Sequence, residues 1–250
     1  MVSPALAGPP GPLRDAAPDA LPGRWADRVW AGTQFAAAPQ PALPTGYPAL
    51  DAQLPGGGWP AAGLTELLFD APGSGEWRLL APALRTQAAR RPVVCVAPPL
   101  QPYAPALQAL SLPLPRFVWV SPPDGAHAAA DAAWALEQAL RSGCCGTALW
   151  WGDAGMPVLR RLHLAALDQG CLLWVLRPLA ARGSSSPAPL RLACRPAARG
   201  ALAIDVFKRR GPAQAAPLRL QLPPIAGQPP DLTHLPDHAV ARAASAVAAA

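Results

Sequence analysis

Lysine occurs once in the 250 residues, at Lys208, and charged residues of all kinds make up only 14% of the chain. The basic side of the net charge of +6 is therefore almost all arginine. A pI near 9.6 admits a nucleic-acid partner. Arginine placed wherever a basic residue is tolerated gives the same balance, so the charge by itself supports DNA only weakly. Paired cysteines are missing too. Cys95, Cys144, Cys145, Cys171 and Cys194 are odd in number, contain no C-x-x-C pair and mostly lie in apolar runs, which excludes a disulfide framework and predicts buried, reduced thiols in a cytoplasmic protein. The opening MVSPALAGPPGPLRD has no basic n-region followed by an uninterrupted apolar h-region, so no signal peptide is predicted. Nor does any apolar stretch reach the length of a bilayer span, and no membrane association is expected. His234 and His238 have the spacing of metal ligands on a helix, but in the Pro/Ala-rich end of the chain they read as tail residues, and no metal site is predicted. Ser74 lies between glycines, yet there is no G-x-S-x-G elbow and no suggestive histidine or carboxylate after it, which leaves no nucleophilic catalytic set. Internal repeats are absent.

What is abundant is apolar and irregular at once: 51% hydrophobic residues, with 35 prolines and 21 glycines. A core of domain size is within reach, but the prolines gather at the two ends. Residues 1–23 read as a disordered tail and 39–44 as a linker, with a helical arm at 24–38 between them that carries Trp25, Val29 and Trp30 near helical spacing. Residues 222–250 form a Pro/Ala-rich tail. Between these, residues 45–221 alternate short apolar runs with helical patterns. The runs are LTELLF, VVCVA, FVWV, TALWW and CLLWVL, and the helix candidates cover about 76–90, 102–110, 127–141 and 154–168. Near-continuous apolar strands alternating with helices predict an α/β domain with a mostly parallel sheet covered on both faces. After Pro178 the alternation stops. RGSSSPAP reads as a flexible loop, then LRLACRP, ALAIDVFKRR and PLRLQL read as an antiparallel extension.

The segment D-A-P-G-S-G-E-W-R, Asp70 to Arg78, lies between a strand and a helix, which is the setting of a phosphate loop. Such a loop, G-x-x-x-x-G-K-[ST], cradles phosphates with backbone N–H groups, balances them with lysine and holds magnesium with a hydroxyl. Here Asp70 stands for the first glycine, Glu76 for the lysine and Trp77 for the hydroxyl residue; Gly75 is retained, and Gly73 and Ser74 lie inside the loop. A carboxylate about 4 Å from a phosphate turns an attraction of about 4 kcal/mol, at an effective dielectric of 20, into a repulsion of that size. TALWWGD ends in Asp153, where a magnesium-positioning carboxylate would close a parallel strand, but no glutamate follows VVCVA to activate water. The strand–loop–helix is thus expected to survive as architecture without nucleotide cofactor or ATP hydrolysis.

The run TGYPALDAQLPGGGWPAAGLTELLFDAPGSGE resembles the entry segment of the RecA family, with its T-G-x-x-x-L-D start, glycine-rich turn, strand and phosphate loop. The likeness extends over roughly residues 43–221, to the strand ending in Asp153 and to ALAIDVFKRRGP. It implies a RecA-like three-layer domain. The lysine-free loop PGSGE, the V-W-x-G arm and the K-R-R-G-P segment resemble ImuA, the RecA-like accessory proteins of SOS mutagenesis cassettes, whose relatives include SulA-like cell-division inhibitors. That resemblance implies a noncatalytic partner of the polymerase-like protein ImuB and of an error-prone C-family DNA polymerase in translesion synthesis, with RecA as a further partner. The alternative is a SulA-like inhibitor that binds FtsZ. Lys208, Arg209 and Arg210 form the densest basic run. They read equally as a contact to DNA phosphates or an acidic partner and as a solvated strand end. Trp25 and Trp30 are candidates for packing on a partner, and equally for folding back on their own sheet. Trp150 and Trp151, adjacent in a strand, must point to opposite faces.

Overall fold

A computed structural model describes residues 41–211, 214 and 216–224 of the chain. The tail 1–23, the arm 24–38 with Trp25 and Trp30, and all but the start of the tail 222–250 lie outside the described residues.

The chain enters through two short strands, β1 (Ala42–Leu43) and β2 (Trp59–Pro60), which pair antiparallel. Part of the stretch expected as a linker is therefore a strand. Between them lies α1 (Pro48–Asp51), and T-G-x-x-x-L-D is built around its start. Thr45 Oγ1 accepts the Tyr47 N–H at 3.1 Å, and Asp51 Oδ1 accepts the Thr45 N–H at 2.8 Å. Gly46, at φ +86°, is needed for a second reason: a Cβ there would stand 2.3 Å from Cβ of Pro82.

Strand β3 (Gly63–Phe69) follows, then α2 (Glu76–Ala88), β4 (Val93–Val96), α3 (Ala104–Ala109), β5 (Phe117–Val120), α4 (Ala128–Arg141), β6 (Thr147–Trp151), α5 (Met156–Asp168) and β7 (Leu172–Pro178). Three strands close the chain: β8 (Leu190–Ala197), β9 (Ala201–Lys208) and β10 (Leu218–Gln221). They form one eight-stranded sheet in the order β10-β9-β8-β3-β7-β6-β4-β5. The strands from β8 through β5 in that order run parallel, and β9 and β10 extend the sheet antiparallel. The α/β class, the mostly parallel sheet and the antiparallel extension match the expectation from the apolar runs.

The sheet is sandwiched between helices, because successive side chains of a strand point to opposite faces. Leu67, Phe69, Val93, Cys95, Leu149, Trp174 and Leu176 face α2, α3 and the 47–54 segment. Leu64, Val94, Val96, Ala148, Trp150, Leu173 and Val175 face α4 and α5. Trp150 and Trp151 do take opposite faces, Trp150 fully buried among α4 and α5 and Trp151 against the other layer. Each fully buried leucine or valine contributes about 1.5–3 kcal/mol, so the two faces together hold the strands in register.

Helix α2 carries Pro82 in its interior, which removes an N–H and leaves the Arg78 carbonyl without its helical donor. Tyr47 supplies a substitute: its hydroxyl donates to Arg78 O at 2.7 Å. Burial pushes the Tyr47 phenol above its ordinary value, against the nearby Arg78 and Arg85 charges.

Three local expectations change. The stretch RGSSSPAP, read as a flexible loop, is exposed from Arg182 to Ser185 but anchored by its second half: Ala188 is fully buried and Ser186 is buried with it, and the charged network in the sheet below binds the Ser184 and Ser186 hydroxyls and the Ser184 carbonyl. Leu222, assigned to the tail, is a core residue that lies against the glycine loop. Cys144 is exposed, whereas the other four cysteines are buried thiols.

Candidate functional site: a glycine loop closed by its own carboxylate

The loop leaves the C-terminal end of β3 at the exposed Asp70 and enters α2 through Gly75, at φ +111°. Gly73 is also left-handed, at φ +81°. Both conformations favour glycine, and at Gly75 a Cβ would also come within 3.1 Å of Leu222. Ser74 closes the turn by donating its hydroxyl to Ala71 O at 2.5 Å.

Glu76 is the first residue of α2 and only 4% exposed. Its Oε1 accepts the Gly73 N–H at 2.7 Å. A loop amide that would otherwise be offered to a phosphate is thereby held by a carboxylate of the same chain. Helix N-termini attract anions through unpaired N–H groups and the positive end of the dipole, and here the anion is built in. Glu76 Oε2 is buried and has no hydrogen-bond partner among the described residues.

Trp77 packs away from the loop. Its ring leans on the sheet, 5.3 Å from Trp151 and 5.9 Å from Trp119 between centroids, and Trp119 in turn stacks on Phe117. No hydroxyl is left at the magnesium position.

Asp153 follows β6, with its side chain 55% exposed. Its Oδ1 accepts from Nε of Arg177 at 2.9 Å and is ion-paired with Nη2 of the same guanidinium. Arg177 is 2% exposed at its side chain and also donates to Glu66 Oε1 at 2.9 Å. The carboxylate in the magnesium-positioning place is thus tied to a cation of the neighbouring strand. At the end of β4, the place of a water-activating glutamate, Ala97 has φ +50° and gives its N–H to Val120 O, after which Pro98 and Pro99 turn the chain away.

Glu66, Arg177 and Arg191 form a buried triad that sequence reasoning left out. Glu66 is fully buried in β3, and its Oε2 accepts Nε of Arg191 at 2.6 Å. Arg191 also donates to the carbonyls of Ala181 and Ser184, each at 3.0 Å. Ser186 donates to Glu66 Oε1 at 2.5 Å. The signal was present: LTELLF and CLLWVLRP each carry one charge in an otherwise apolar run, LRLACRP carries Arg191 and Arg195, and charges in buried strands must find one another.

The basic run is divided between different jobs. Lys208 ends β9 and donates to Ser186 O at 2.7 Å, with its ammonium pushed below its ordinary range first by burial and then by Arg191, against the pull of Glu66. Arg209 donates to Gln53 O. Arg210 is exposed and borders a small cleft with Pro41, Pro60 and Pro189.

Two clefts open at this end of the sheet. One, of about 260 Å³, lies between the loop and the ends of β3, β6 and β7, walled by Asp70, Glu76, Trp151, Asp153 and Arg177 over an apolar floor that includes Phe69 and Leu176. The other, of about 190 Å³, runs from Gly73 and Trp77 past Pro98, Pro99 and Pro102 to Tyr103. The crevice beyond the carboxyl ends of parallel strands is the usual ligand position in open α/β sheets. Among the described residues no group of three histidines, cysteines or carboxylates could hold a metal ion, and no helix is long and apolar enough to cross a membrane.

No family model matches the chain, and no curated protein does. Among solved structures it is similar to one titled as the crystal structure of SulA from Pseudomonas aeruginosa, at 22% identity and a TM-score of 0.37, over 46% of this chain and 97% of that one. A likeness at this level identifies neither a family nor a partner.

Proposed function

We propose that this chain is a noncatalytic RecA-like accessory protein of SOS-induced, error-prone translesion synthesis, an adaptor for ImuB and an error-prone C-family DNA polymerase. The pathway and the partners rest on the sequence resemblance alone. What supports the noncatalytic half is one observation, the Glu76 carboxylate bonded to the Gly73 N–H inside the loop. A triphosphate entering there would have to displace that bond and then sit beside a fixed negative charge, at about 4 kcal/mol for a 4 Å separation and an effective dielectric of 20. Asp153, held by Arg177, and Trp77, packed on the sheet, supply no replacement for the missing lysine and hydroxyl.

The direct test uses the full chain and tagged ImuB. Co-purification of the two, with no ATP turnover by the chain, is the expected outcome. Turnover that disappears in Asp153→Asn would remove the noncatalytic reading. Filamentous cells on overexpression, with binding to FtsZ and none to ImuB, would replace the adaptor by the division-inhibitor alternative. Whether DNA is touched directly reads out as a salt-dependent shift of a labelled duplex that weakens on Arg210→Gln.

A further inference from the structure

The 260 Å³ cleft lies beside the glycine loop, beyond the carboxyl ends of the parallel strands, and three carboxylates against one arginine wall it. We propose that it receives an arginine side chain of a partner protein, its guanidinium seated where phosphates would otherwise lie. This rests on the noncatalytic reading above and gives the partner-facing surface a chemistry.

Four observations carry it. First, the buried Glu76 lines the cleft, and its Oε2 lacks a donor among the described residues. Oε2 is itself out of contact with solvent, but the Glu76 carboxylate has no ion pair among the described residues, and a guanidinium in the cleft would offset its buried charge. Second, Asp70 and Asp153 stand at the same wall. Asp70 is exposed, with no hydrogen bond or ion pair among the described residues, and Asp153 leaves 55% of its side chain exposed. The cation already present, Arg177, is nearly fully buried and shared between Asp153 and Glu66. Within a chain of net charge +6, this wall is therefore locally acidic and complementary to a cation. Third, Trp151 offers an aromatic face and Phe69, Leu176, Pro72, Pro99 and Pro178 an apolar floor. A guanidinium is planar, weakly hydrated and stacks on aromatic rings, and its methylene stem covers apolar surface. Fourth, the positive end of the α2 dipole, about half a charge, is outweighed by the three carboxylates around it.

The test is calorimetric and ligand-observed NMR titration of the full chain with acetyl-arginine methylamide, with the neutral isostere acetyl-citrulline methylamide as control. The arginine probe is expected to bind, and the citrulline probe about tenfold or more weaker, equivalent to about 1.4 kcal/mol. Asp70→Asn and Glu76→Gln are each expected to weaken the arginine probe about tenfold, on the same conversion. Asp70 is exposed, so its variant keeps the test valid even if the Glu76 variant fails to fold. Equal binding of both probes, no binding of either, or unchanged binding in a folded Asp70→Asn variant would each overturn the proposal. So would tighter binding after Arg14, Arg24, Arg28 and Arg242 are replaced by glutamine, because the occupant would then be the chain itself. Loss of the arginine response alone leaves the noncatalytic reading standing, whereas Mg·ATP competing for the cleft would remove both.

Discussion

Glu66 is the shared anion of the buried Glu66–Arg177–Arg191 triad in the sheet. It is fully buried between the two strands that flank β3, and each of its oxygens serves a different guanidinium, Arg177 through Oε1 and Arg191 through Oε2. Replacement by leucine leaves two buried cations without their shared carboxylate. Breaking one buried pair by removal of a partner costs about 3–5 kcal/mol. Two pairs are lost here, but Arg177 keeps Asp153 and Ser184, and Arg191 keeps the carbonyls of Ala181 and Ser184. Those remaining acceptors hold the expected loss near the single-pair figure of about 3–5 kcal/mol rather than twice that. The assay is urea unfolding followed by tryptophan fluorescence. With a slope of about 1–3 kcal/mol per molar, the midpoint should fall by more than 1 M, or the chain should fail to fold. Segment 179–189, which the same arginines hold down, should become sensitive to proteolysis in any Glu66 variant that folds. Replacing Glu66, Arg177 and Arg191 together by apolar residues of similar size should cost far less than Glu66→Leu alone, because no unpaired charge is left behind. A loss below about 1 kcal/mol for Glu66→Leu would refute the reasoning, since exposed ion pairs give values of that size.

Tyr47→Phe should destabilise the fold by about 1–3 kcal/mol, because the Arg78 carbonyl loses its donor; in a Pro82→Ala background the new helical N–H takes over, and a double-mutant cycle in urea should show the Tyr47 effect shrinking. His163 accepts the Leu64 N–H through Nδ1 at 3.0 Å, and its pKa lies below 6.5 through burial first and Lys208 second. The folded state therefore binds fewer protons than the unfolded one, so stability is full above pH 6.5 and is lost as pH falls below it; His163→Gln should flatten that slope in unfolding curves recorded at pH 5 to 7. Iodoacetamide under native conditions should modify Cys144 alone, as read by peptide mass spectrometry, since Cys95, Cys145, Cys171 and Cys194 are buried and should react only once the fold is opened.

The order of strands and helices was legible because each buried parallel strand writes itself as an apolar run and each helix as a period of three to four residues. The loop was legible as well, as a glycine-rich turn between a strand and a helix. The direction of the Glu76 side chain was not. A glutamate after Gly75 predicts repulsion of phosphate, but only the fold shows that the carboxylate turns back onto the Gly73 N–H. Long-range partners were hidden for a simpler reason. Glu66 meets Arg177 and Arg191 across 111 and 125 residues of sequence, and no local pattern pairs them. RGSSSPAP carries the composition of a free loop, and it is anchored because Glu66, Arg177 and Arg191 bind Ser184 and Ser186. Trp77 was legible as the residue that replaces the hydroxyl; its packing on Trp119 and Trp151, which the sheet order sets beside it, was not.

The account stands or falls on the loop refusing a nucleotide. Isothermal titration of the full chain with Mg·ATP measures this directly. No saturable binding is predicted at ATP concentrations up to about 1 mM, a threshold equivalent to a binding free energy of about −4.1 kcal/mol. Saturable binding tighter than that, weakened by Asp153→Asn, would contradict it.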